Sequence, residues 1–163
     1  MRRVRTGPVE AFVFTPDDPS VVLAHMDRLG AAHKGWINFN PGVLEEDVPA
    51  PRGGLGPIFG GTVHEIPICT WVPGGMGRKG VERDSLGIQH NTGTKVVARL
   101  ATLDLALPAG WRWQQDHPRR GLVVRVPTDV THAVQLSWLL TAGAALSKVP
   151  LTGDWEAQIR EGR

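Results

Sequence analysis

Trp111-Arg112-Trp113-Gln114-Gln115-Asp116-His117-Pro118-Arg119-Arg120-Gly121-Leu122-Val123-Val124-Arg125-Val126 reads as a hairpin, and the segment after it decides what the hairpin packs on. Trp111 to Gln115 places tryptophans at period two, and Leu122 to Val126 is rich in β-branched residues. The polar turn Asp116 to Gly121 between them holds Pro118 and Gly121 as turn formers. Thr128 or Asp129 then opens an apolar segment whose spacing predicts a helix over 129–147. Val134, Leu140 and Ala144 or Ala145 recur near helical spacing, and Leu136, Leu139 and Leu146 widen the stripe, so this helix is expected to be the main core element. Val124 and Val126 alternate in step with Trp111 and Trp113, which favours a face packed under a helix over an aromatic platform for bases or sugars.

Upstream, Val9 to Phe14 reads as a strand. Thr15-Pro16-Asp17-Asp18-Pro19 then supplies helix-start residues ahead of Val21, Val22, Met26 and Leu29. A helix near 18–30, stopped by Gly30 or Gly35, and a short strand Trp36 to Phe39 give a β-α-β opening. Residues 40–57 hold four prolines and four glycines beside Glu45-Glu46-Asp47 and read as a surface loop. Two extended pieces are expected from Ile58 to Val72, broken at Pro67, and a second loop at 73–83 leads to a short strand Leu86 to Ile88. Thr94 is placed to cap a helix near 94–103 that ends by Pro108. Beyond Pro150 the chain is expected to be a tail with a last helical turn near Trp155. Strand-cap-helix units recur at Val9 and Leu122, but with residues that any such junction uses.

With 163 residues, 41% hydrophobic and 21% charged, the chain has the length and composition of one ordinary globular domain. Residues 1–7 form a basic N-terminal segment with no apolar run of signal length before Pro16, so a cytoplasmic protein without a membrane partner is expected. A single cysteine, Cys69, fits a reducing compartment and precludes an intramolecular disulfide. Net charge is only +2 and the basic residues are spread along the chain, so nucleic acid ranks third among partner classes. The excess of 14 Arg over 4 Lys reads as bacterial-type, GC-rich codon usage.

The candidate ligand-binding residues are His90 and Asn91, between a strand and a helix start, and Asp116, His117, Arg119 and Arg120 in the hairpin turn. Guanidinium forks match carboxylate or phosphate geometry, and a neighbouring imidazole donates or shuttles a proton. Against this stands the plain reading of a solvated turn, with Asp116 neutralising one arginine and His90 a bystander. Gly74-Gly75-Met76-Gly77-Arg78-Lys79-Gly80 fails the spacing of nucleotide loops and reads as a mobile hairpin loop. Cys69, inside a strand, reads as a packing residue, and the six histidines show no metal-ligand spacing, so no metal and no cofactor are expected.

These readings predict an α+β single domain, a mostly antiparallel sheet with about three helices on one face, although strands flanking single helices allow a parallel pair. For function they predict a non-enzymatic binding or interaction domain, because no acid–base pair or nucleophile arrangement can be assembled from the sequence. Its partner would be an anionic small molecule or a protein. The alternative is a small hydrolase or transferase acting on an anionic metabolite, with His117 or His90 as acid–base and Arg119 and Arg120 clamping charge.

Overall fold

The computed structural model describes residues 9–49 and 65–162. The basic segment 1–7, the 40–57 loop from residue 50 onward and the extended piece expected over 58–64 lie outside them. The described residues run in the order β1 Val9–Phe14, α1 Ser20–Ala32, β2 Trp36–Pro41, β3 Ile68–Val72, β4 Met76–Gly77, β5 Gly80–Val81, β6 Asp84–Gln89, α2 Val96–Thr102, β7 Arg112–His117, β8 Gly121–Val126, α3 His132–Ala145 and β9 Trp155–Arg160. Seven strands form one sheet in the order β1-β9-β2-β3-β6-β8-β7. Every neighbouring pair is antiparallel. With three α-helices among the described residues the fold is α+β, as expected.

Alternation places the core. Ile159, Ile37, Trp71, Leu86 and Val124 register in one row across β9, β2, β3, β6 and β8, and all of them are buried. Side chains at period two point to the same face of a sheet. α3 packs on that face over β3 and β6, α1 lies beside α3, and α2 rests against β7. Leu136, Leu139, Leu140, Gly143 and Leu146 of the α3 region are buried, so it is a main core element. The apolar stripe is rotated from the expected one: Val134 and Ala144 face outward. Trp111 is buried against Trp138, ring centroids 5.5 Å apart. Trp113 registers with Val124 but sits on the edge strand and is 57% exposed. No helix among the described residues is long and apolar enough to cross a membrane.

Several boundaries differ from expectation, each for a local reason. Residues 155–160 form no helical turn; they are β9, inserted between β1 and β2, with Trp155, Ala157 and Ile159 buried and Glu156, Gln158 and Arg160 on the other face. The β-α-β opening therefore has no adjacent parallel pair, because β9 separates its two strands. α1 passes through Gly30 and ends where His33 takes a left-handed conformation, φ 52°. α3 begins later than expected, because the Thr131 side chain caps it by accepting the Val134 N–H at 3.3 Å. The expected 40–57 loop starts after Pro41 and contains a 3-10 turn, Glu45–Asp47. The expected 73–83 loop contains the β4–β5 hairpin, and its Gly74 N–H is held by Asp84 at 2.8 Å.

Candidate functional site

The β7–β8 turn is tighter than the sequence suggests, because Asp116 and His117 belong to β7 and only residues 118–120 turn. Gly121 closes it with φ 82°, the left-handed position that a three-residue hairpin loop requires. His117 pairs with Gly121 across the ladder, and its Nδ1 accepts the backbone N–H groups of both Arg119 and Arg120 at 3.1 Å. An acceptor Nδ1 puts the ring proton on Nε2, so the neutral imidazole offers a donor there.

Asp116 does not neutralise an arginine. Its two carboxylate oxygens accept the Val96 and Val97 N–H groups at 3.1 Å each, so a side chain from β7 caps α2. The expected cap, Thr94, lies outside the helix, whose N-cap residue is Lys95 in a left-handed conformation, φ 59°. Arg119 and Arg120 are exposed and have no ion pair among the described residues. His90 is buried just beyond β6, with its Nδ1 accepting Thr92 N–H at 3.3 Å and 3.0 Å from Thr92 Oγ1; Asn91 comes next in the bend. Of the expected site residues, Asp116, His117, Arg119 and Arg120 thus share one hairpin end, while the Nδ1 of His90 is engaged by its own loop.

A second constellation answers to no motif in the sequence. His132, the first residue of α3, places Nδ1 at 2.6 Å from Asp27 of α1 and Nε2 at 3.5 Å from Asp84 of β6. Asp84 also accepts the Gly74 N–H and, at 3.0 Å, Gln135 Nε2, while Gln135 Oε1 accepts Trp71 Nε1–H at 3.1 Å. Trp71 meets the imidazole edge-on at 5.2 Å. The Asp84 carboxylate raises the His132 pKa most; partial burial opposes it and Asp27 adds to it. Asp84 dominates although Asp27 is nearer, because the Asp27 side chain is 74% exposed and water screens it. Burial pushes the Asp84 carboxyl up, but the donors from His132, Gly74 and Gln135 outweigh it and hold the group below its ordinary value. Asp27, Asp84 and His132 stand on three different elements, far apart in the chain. The one sequence-level trace is Gly30, an otherwise unfavourable residue inside α1.

Cys69 is fully buried and burial raises its thiol pKa, so it is a packing residue as expected. An open cleft of about 370 Å³ at the ends of β2 and β9 is lined by Asn40, Pro41, Thr152, Asp154 and Glu156 among others, and holds none of the expected site residues. The chain matches no protein-family model, no curated protein and no solved structure.

Proposed function

We propose that this protein is a non-enzymatic binding domain that holds an anionic ligand or an anionic group of a protein partner at the β7–β8 turn. The observation that carries the reading is the assignment of Asp116 to α2, which leaves Arg119 and Arg120 without a carboxylate among the described residues, on a turn fixed by His117 and Gly121. A rigid turn presents its guanidinium forks with less ordering entropy lost on binding, and the Nε2–H of His117 adds a donor beside them.

The enzymatic alternative has less support. His117 Nδ1 and His90 Nδ1 are both engaged by local backbone N–H groups, and both nitrogens of His132 face carboxylates, so acid–base exchange would first have to displace an internal bond. Binding of inorganic polyphosphate and heparin at low salt tests the proposal. Wild type is expected to bind in a salt-dependent manner, and the double variant Arg119→Gln, Arg120→Gln to lose most of that binding while its stability changes by only about 0.5 kcal/mol. Equal binding by the two proteins, or no binding by wild type, would overturn it. Turnover of a phosphate or carboxylate ester that disappears in His117→Gln would select the enzyme instead.

A further inference from the structure

The Asp27–His132–Asp84 bridge joins three elements through one ring, and its chemistry depends on how many protons that ring carries. An imidazolium has two N–H donors; a neutral imidazole has one N–H and one lone pair. Both ring nitrogens face carboxylates, at 2.6 Å and 3.5 Å. Only the protonated ring satisfies both, and the neutral ring must turn a lone pair toward a carboxylate oxygen. We infer that His132 is a proton-operated latch: protonated, it fastens α1 to the start of α3 and to β6, and on losing its proton it lets go of Asp27 and loosens α1.

The choice of Asp27 rests on what each carboxylate has besides the ring. The Asp84 side chain is 20% exposed and keeps the Gly74 and Gln135 donors, in a place where water replaces a lost partner poorly. The Asp27 side chain is 74% exposed and has no other partner among the described residues, so water takes over its hydrogen bond. The neutral ring therefore keeps its proton on Nε2, toward Asp84.

α1 also carries a seat for the ring. A Cβ at Gly30 would come within 3.1 Å of His132 Cε1, so the glycine lets the imidazole lie against the helix. Gly inside a helix is less favourable than Ala, which makes a packing reason for it significant. The groups around the ring are Asp27 and Gly30 from α1, Asp84 from β6, Trp71 from β3 and Gln135 from α3. Beyond Gly74 lie His33, whose Nδ1 sits 3.0 Å from the Gly74 carbonyl, and Glu82, which runs against Gly74 and Gly75.

These shifts fix the sign of the pH dependence. A histidine whose folded pKa is raised contributes stability below its unfolded value, about 6.5, and loses it as pH rises through the raised value. Asp84, held low, contributes above about 3.9 and loses its share as pH falls through the depressed value. The latch is closed between those limits and opens on the alkaline side.

Nitrogen-detected NMR of the histidine rings, with amide exchange of α1 corrected for intrinsic rates, tests this from pH 5.5 to 8.5. His132 is expected to titrate above an ordinary histidine, with both ring nitrogens protonated at the acid end and Nε2 alone at the alkaline end. α1 protection should fall with that titration, about tenfold per unit of pKa shift, while β8 stays protected. Asp27→Asn, at an exposed position, should remove the pH response of α1, and Gly30→Ala should displace the ring and shrink it. His25→Gln and His33→Gln should leave it in place, which separates the latch from the pair His25 makes with Glu10 at 3.7 Å. Titration of His132 at or below the ordinary value, α1 protection indifferent to pH, or an unchanged response in Asp27→Asn would overturn the inference.

Discussion

Gly143 sits where α3 crosses β3, and a Cβ there would overlap Cys69 Sγ. Cys69 is fully buried with Sγ 3.7 Å from the Leu139 carbonyl, so neither residue has room to give way. Gly143→Ala should therefore destabilise the protein by about 1–3 kcal/mol, against the roughly 1 kcal/mol that alanine gains in a helix. In a Cys69→Ala background, removing the sulfur should recover most of that loss. Urea unfolding of the four proteins measures the coupling, and strictly additive effects would mean that the sulfur is not the obstacle. The thiol itself should react slowly with a thiol reagent in the native protein and quickly in denaturant, because burial raises its pKa and hides it. A buried role for Cys69 is legible from its place between β-formers. The need for Gly143 is not, because it arises only when a helix far along the chain comes down on that strand.

Helix α2 takes its cap from outside the local sequence. Asp116 reaches it from β7, nineteen and twenty positions away in the chain. Asp116→Ala should cost about 1–2 kcal/mol, with the α2 amides losing protection first, while Thr94→Ala should leave stability within about 0.5 kcal/mol. Amide exchange on both variants checks the assignment; the reverse ranking would restore Thr94 as the cap. The existence and burial of α3 are legible, since a long apolar segment bounded by polar residues has few alternatives, whereas its start, set by the Thr131 cap, is not. Its rotation is not, because apolar residues surround most of the helix and tertiary packing chooses among its faces. Leu140, 4% exposed, points inward, so Leu140→Asp should cost several kcal/mol through a lost apolar contact and a buried carboxyl. An unchanged thermal midpoint would contradict that. β9, expected as a helical turn, carries a readable strand signal: Trp155, Ala157 and Ile159 alternate with Glu156, Gln158 and Arg160, the period of a half-buried strand. The turn with Arg119 and Arg120 is readable because turn chemistry is local. The His132 bridge is not, since the topology alone brings its residues together.

Across the sheet, β9 is the only strand paired with β1 among the described residues, and it also forms one flank of β2. Its register runs Val9 to Arg160 on one side and Trp36 to Arg160 on the other. Deleting residues 155–162 should therefore abolish cooperative unfolding, which calorimetry of the deletion variant would detect as the loss of a single transition. As the polypeptide emerges from the ribosome, β1 lacks its partner β9, and the flank of β2 that β9 covers stays bare until this stretch of sequence has been made. Contacts between remote parts of a chain form slowly, and bare edges invite pairing with other chains. The strand that fits between β1 and β2 thus also sets when this sheet stops being at risk of aggregation in the nascent protein: only after the sequence through Arg160 has been synthesised.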